Sequence, residues 1–158
     1  MSLWLSLFVR RVLAFGFAFL MLSAAWVPAS ASAAEYVSVH ASTANVRAQP
    51  TTRSAILWRL TAGYPLQVQQ RRGKWLKVRD FEAPLGWIYA TLVDRTPHRV
   101  VSVETANLRS GPGVKHRIVG KLHRYDVLRS IGRSGSWAHV RLTSGKMGWV
   151  ARSLTWGW

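Results

Sequence analysis

After residue 34, apolar and polar positions alternate in short runs, and helical spacing is scarce. Tyr36-Val37-Ser38-Val39, Leu66-Gln67-Val68-Gln69 and Trp75-Leu76-Lys77-Val78 each put apolar side chains on alternate residues, the period of a half-buried strand. Turn formers fall between the runs: Ala62-Gly63, Arg72-Gly73, Ala83-Pro84, Gly111-Pro112-Gly113, Ser134-Gly135 and Ser144-Gly145. The pattern predicts strands near 36–40, 44–47, 55–60, 66–72, 75–79 and 85–89, with a tight turn around 90–92. A second set is predicted near 100–103, 106–109, 117–122, 127–132, 137–141 and 147–150. Strands this short, broken about every eight to twelve residues, indicate an all-β chain of small barrels or sandwiches.

The two sets are copies. Asn45-Val46-Arg47 recurs as Asn107-Leu108-Arg109, Gly73-Lys74-Trp75 as Gly135-Ser136-Trp137, and Gly86-Trp87-Ile88 as Gly148-Trp149-Val150. One offset relates them all (107 − 45 = 135 − 73 = 148 − 86 = 62), so the copies align without a gap. A repeat of this kind is one small unit used twice. The link from Val93 to Arg99 is polar, broken by Pro97 and short, which places the copies close together.

Residues 1–34 read differently. Arg10 and Arg11 precede an uncharged apolar run from Val12 to Trp26, and small residues follow, with Ala29-Ser30-Ala31 and Ala31-Ser32-Ala33 as peptidase-type sites. Basic, apolar and small-residue regions in that order form a secretory signal, predicting a periplasmic or extracellular protein. An uncleaved anchor is the alternative, since about 20 apolar residues can span a bilayer. Removing the segment leaves 158 − 34 = 124 residues. The chain has no cysteine, which excludes disulfides, thiol catalysis and thiolate-bound zinc.

Charge narrows the choice of partner. There are 22 Lys and Arg against 6 Asp and Glu, a formal net charge of +16. Residues 35–95 carry nine cationic and four anionic side chains (9 − 4 = +5), and residues 96–158 carry eleven and two (11 − 2 = +9). Such a balance suits a polyanion. An exported chain meets envelope polymers and anionic head groups rather than nucleic acid, so no nucleic-acid partner is expected.

The ensemble of Ala-Asn-(Val/Leu)-Arg, Ser-Gly-Pro-Gly, Gly-x-Trp-x-x-Val and Gly-Trp-(Ile/Val) resembles the bacterial SH3 module. The chain looks like a signal segment followed by two such modules, residues 35–95 and 96–158. The second copy matches better, because Ala48-Gln49-Pro50-Thr51 replaces the glycine-flanked proline in the first. The resemblance implies two small, strongly bent SH3-like barrels, each with a long loop after the Asn-(Val/Leu)-Arg strand. It also implies binding rather than catalysis, with cell-wall peptides as the usual ligand proposed for the family.

The residues themselves offer one candidate surface per copy. In Trp75-Leu76-Lys77-Val78-Arg79 the two aliphatics share one face, leaving Trp75, Lys77 and Arg79 on the other. The second copy repeats this with Ala138 and Val140 inward and Trp137, His139 and Arg141 outward. A Trp beside cationic or titratable groups can stack on a sugar or peptide face while pairing with a carboxylate. It can equally fold over the barrel rim as a lid. Arg47 and Arg109 either brace the long loop or face ligand, whereas Trp87 and Trp149, each after a glycine, are expected to serve the fold. The tail Leu154-Thr155-Trp156-Gly157-Trp158 is expected to pack across the junction, with Trp58 as partner, or to touch a membrane surface.

Catalytic groups are sparse. Asp80 and Glu82 are the only close acidic pair and read as a turn rather than an acid/base dyad. His40, His98, His116, His123 and His139 lack metal-type spacing, and no phosphate loop is present. No enzyme site, metal or cofactor is therefore expected. The reading is an exported, non-enzymatic protein docking on peptidoglycan or another anionic envelope polymer through Trp137, His139, Arg141 and Arg109, and through Trp75, Lys77, Arg79 and Arg47. The alternative is an adaptor that recruits an acidic envelope protein such as a cell-wall enzyme.

Overall fold

A computed structural model describes residues 34–82 and 84–158. The export segment expected at residues 1–34 lies, but for its last residue, outside them. Among the described residues no helix is long and apolar enough to cross a membrane.

The first copy forms β1 (Tyr36–Val39), β2 (Thr43–Arg47), β3 (Ile56–Thr61), β4 (Pro65–Arg72), β5 (Trp75–Arg79), β6 (Leu85–Tyr89) and β7 (Val93–Asp94). The second forms β8 (His98–Val101), β9 (Thr105–Arg109), β10 (Ile118–His123), β11 (Val127–Ser134), β12 (Trp137–Arg141), β13 (Met147–Ala151) and β14 (Thr155–Gly157). Each copy is one seven-stranded sheet, ordered β3-β2-β6-β5-β4-β1-β7 and β10-β9-β13-β12-β11-β8-β14. Every strand begins 62 residues before its counterpart (98 − 36 = 155 − 93 = 62). The register shifts recur too, in β4 between Val68 and Gln70 and in β11 between Ser130 and Gly132. Such a bulge bends its strand, which lets a single sheet wrap around its own core.

Alternation decides which side chains fill those cores. Leu76 and Val78 of β5, and Ala138 and Val140 of β12, are almost fully buried, while their neighbours on the same strands are not. The first core adds Val39, Val46, Leu66 and Ile88, and the second Leu108, Leu122, Leu128 and Val150. Gly86 and Gly148 allow β6 and β13 to lie against β2 and β9. A methyl group on Gly148 would meet the Leu108 side chain at 2.7 Å and the Arg109 carbonyl oxygen at 2.9 Å.

Two features were not expected from the alternation. β8 starts at His98, two residues before the predicted strand, and the short closing strands β7 and β14 pair with β1 and β8. The link between sheets therefore shrinks to Arg95–Pro97.

The copies are packed together. Val100 of β8 belongs to the first core, and Val127 and Trp156 pack against it. The aromatic tail does cross the junction, but its partner is Tyr36 rather than Trp58. Trp156 meets the Tyr36 ring edge-on at 5.3 Å, Trp158 lies tilted at 6.3 Å, and the Trp158 indole donates to Ser38 Oγ at 3.3 Å. Trp58 instead packs on the first core. Buried Arg99 ties the tail strand down by donating to Thr155 Oγ1 at 2.7 Å, and burial pushes its pKa down to about 10.

A second latch joins the β5–β6 loop to the β10–β11 turn. Glu82 accepts from Arg124 at 2.8 Å and from the Tyr125 hydroxyl at 2.7 Å. The Arg124 guanidinium lies 5.3 Å from both the Phe81 and Tyr125 rings. Tyr125 has φ of 70°, a region that disfavours tyrosine, and its counterpart is Gly63 with φ of 82° (125 − 62 = 63). The duplicated turn is used in two ways. At Gly63 a side chain would strike Val127 of the second copy at 2.8 Å, whereas at Tyr125 the side chain reaches across to the first.

Two outcomes follow from this packing. Gly148→Ala should lower stability by about 1–3 kcal/mol in urea unfolding, because overpacking displaces backbone as well as Leu108. Arg124, then Tyr125, hold the Glu82 carboxyl below its ordinary value of 4.5. Its contribution is therefore present above the ordinary carboxylate range and lost as pH falls through the depressed folded-state value. In thermal melts Glu82→Gln should lower Tm near neutral pH, and the gap to wild type should close on acidification.

Candidate binding face

Residues directly opposite in a sheet share a face, so the register reveals what surrounds the outward side chains of β5 and β12. In the first copy Trp75 lies opposite Tyr89 and Arg72, Lys77 opposite Trp87, and Arg79 opposite Gln67 and Leu85. Trp87 is in turn opposite Arg47. In the second, Trp137 faces Ala151, His139 faces Trp149, Arg141 faces Met147 and Arg129, and Arg109 faces Trp149. All eight residues singled out in the sequence thus fall on one outer face per copy.

Their neighbours set what each can do. Trp75 is half-buried, its ring edge-on to Tyr89 at 5.3 Å and 78°. Beside this pair, Pro50 of the long loop and Arg72 and Lys74 of the β4–β5 hairpin enclose a groove of about 670 Å³. Tyr89 was not anticipated: alternation with Trp87 puts it on the same face of β6, but only the β5–β6 register sets it opposite Trp75. Its counterpart in the second copy is Ala151 (89 + 62 = 151), so Trp137 has no aromatic wall opposite it. There His139 stacks flat on Trp149, 4.5 Å apart and 8° from parallel.

Of the two roles left open for Arg47 and Arg109, the geometry displays loop bracing. Arg47 donates to the Ser54 carbonyl at 2.7 Å, and Arg109 to the carbonyls of Val114 and His116 at 2.9 and 2.8 Å. Trp87 shares the first face with Lys77 and Arg47 and is buried there.

Asp80 and Glu82 form a turn. Asp80, only 6% exposed, accepts from the Glu82 backbone N–H at 2.9 Å and from the Tyr64 hydroxyl at 3.1 Å. Burial first, and Asp80 second, push the Tyr64 phenol far up, which keeps it a donor. These residues line a cleft of about 520 Å³ with Trp58 and Tyr125. Among the described residues the buried Trp58 indole N–H has no partner. Away from this cleft, His40 bonds the Thr91 carbonyl at 2.7 Å and His98 the Thr96 carbonyl at 3.1 Å. Among the described residues no three potential metal ligands cluster.

Comparison with known proteins finds two matches in tandem. Residues 40–95 and residues 104–155 each match a family described as bacterial SH3 domain. Over 58 residues the chain is 39% identical to the Bacillus subtilis (strain 168) protein named "Putative N-acetylmuramoyl-L-alanine amidase YrvJ", a match covering 35% of this chain and 11% of that protein. Among solved structures, NlpC1 from Trichomonas vaginalis aligns with 80% of this chain and 46% of its own, at 13% identity and a TM-score of 0.37. An NlpC/P60 family protein from Bacillus cereus ATCC 10987 aligns with 78% and 56%, at 14% identity and a TM-score of 0.37. The chain thus spans about a tenth of the curated relative and about half of these solved chains. With both sheets, their register and both halves of the sequence in agreement, the chain belongs to the bacterial SH3 domain family, as a tandem of two modules.

Proposed function

We propose that this chain is an exported, non-enzymatic binding protein that docks on peptidoglycan or another anionic envelope polymer. The observation that carries the reading is the groove beside Trp75, where an edge-on aromatic pair meets Arg72 and Lys74. Exposed ring faces take up the apolar side of a sugar or peptide, and the cations pair with its carboxylates. The second face, with Trp137, Arg141 and the His139–Trp149 stack, supplies a further contact of the same chemistry. The likeness to a protein named as an N-acetylmuramoyl-L-alanine amidase supports a wall-derived ligand.

A passive role accords with the acidic groups. Asp80 accepts two hydrogen bonds within a turn, and Glu82 is held as a carboxylate by Arg124 and Tyr125, so Glu82 is not poised to donate a proton. The formal charge of +16 adds a long-range attraction that salt screens.

Purified sacculi should retain the protein on sedimentation without releasing soluble fragments. Trp75→Ala should weaken retention about two- to twelvefold, since an aromatic contact contributes about 0.5–1.5 kcal/mol beyond its buried area. Retention should also fall between low and high salt. Equal retention of Trp75→Ala and wild type would remove the groove from the binding surface, and release of wall fragments would overturn the non-enzymatic reading.

A further inference from the structure

Arg129 on β11 and Arg141 on β12 are direct cross-strand partners, and His98 on β8 is the partner of Arg129 on its other side. Like charges set directly opposite one another destabilise a sheet. Among the described residues neither guanidinium has a carboxylate within ion-pair distance. The polar contact of Arg141 is to Met147 Sδ at 3.7 Å. The first module shows that the fold does not require this pair. Its equivalents are Gln67 and Arg79 (129 − 62 = 67; 141 − 62 = 79), and Arg79 Nε donates to Gln67 Oε1 at 2.8 Å. One module resolves the position with a hydrogen bond, and the other leaves two cations facing each other.

Both arginines line a groove of about 330 Å³ between the modules, together with His98 and Thr143 of the second module and His40 of the first. The carboxylate of this groove, Asp94, accepts the Thr96 backbone N–H at 2.8 Å and forms no ion pair with either arginine. Burial, and then the Arg129 charge, push the His98 pKa down, so its imidazole adds no third charge near neutral pH.

We propose that this groove binds a phosphomonoester, whose dianion bridges Arg129 and Arg141. Two guanidinium forks match the oxygens of a phosphoryl group, and a dianion neutralises two arginines where a carboxylate neutralises one. The groove has room for a small polyol or sugar ester behind the phosphate. The inference extends the anionic-polymer reading to a named chemical group. It rests on that reading for the sign of the charge and shares Arg141 with the second face, but it shares nothing with the Trp75 groove, so Arg129→Gln and Trp75→Ala tell the two apart.

Calorimetric titration of the purified full chain with glycerol 3-phosphate tests it. Saturable binding is expected, weakened about tenfold or more in Arg129→Gln, which copies Gln67 of the first module, and unchanged in Trp75→Ala. Without ligand, Arg129→Gln should melt no lower than wild type, because it removes a like-charge contact. Arg141→Lys keeps the charge but loses the fork, and should weaken binding as well. Flotation with phosphatidic acid vesicles separates the sources: Arg129-dependent capture there without binding of the soluble ester would assign the phosphate to a lipid head group. Absence of saturable binding to both probes at low salt, or wild-type affinity in Arg129→Gln and Arg141→Lys, would overturn the proposal. That result alongside undiminished retention on sacculi would leave the wall-binding reading standing.

Discussion

Apolar packing across the junction is the constraint on which the rest of this molecule depends. A barrel of about 60 residues buries too little surface to be comfortably stable alone, and this chain has no cysteine to staple it. The remedy is visible in the cores. Val100 of the second sheet completes the first core, and Trp156 and Trp158 close over Tyr36 of β1. The contacts around Glu82 add a second tie between the modules. Both candidate faces are carried on the sheets that this seam joins.

Because the modules are duplicates, each serves as a control for the other. What they share, such as the inward aliphatics, the register shifts, the glycines at 86 and 148 and the braced loops, is what the fold demands. What differs is free to serve contact or ligand. Gly63 makes room where Tyr125 reaches out, Tyr89 builds an aromatic wall where Ala151 leaves none, and Trp58 fills a place where Gly120 stands (120 − 58 = 62). The charge difference between the halves belongs to this second class.

Much of this was legible before any coordinates. Alternation and the turn formers between runs located twelve of the fourteen strands. The two-faced pattern is clearest in β5 and β12, whereas β1, β6 and β8 bury successive residues. The closing strands at Val93–Asp94 and Thr155–Gly157 have two and three residues, too few to display a period. The outward set on β5 and β12 was also readable, since it needs only alternation. Tyr89 was missed because its importance comes from standing opposite Trp75, a relation of register between strands rather than of position along one. The same reason explains why Tyr36, and not Trp58, receives the tail: both are aromatic, but Tyr36 stands on β1 next to β4, and β4 touches β8 and β14 across the seam.

The three-residue link Arg95–Pro97 has a consequence of its own. With so little chain between two docked sheets, the distance and angle between their aromatic patches are set in advance, like the jaws of a fixed caliper. No entropy of a flexible tether is lost when the second patch engages, and none is available to adjust its reach. On the proposed wall-binding role, a polymer whose chemical period matches that gauge would be held at both points, and one of any other period at a single point, however abundant its charges.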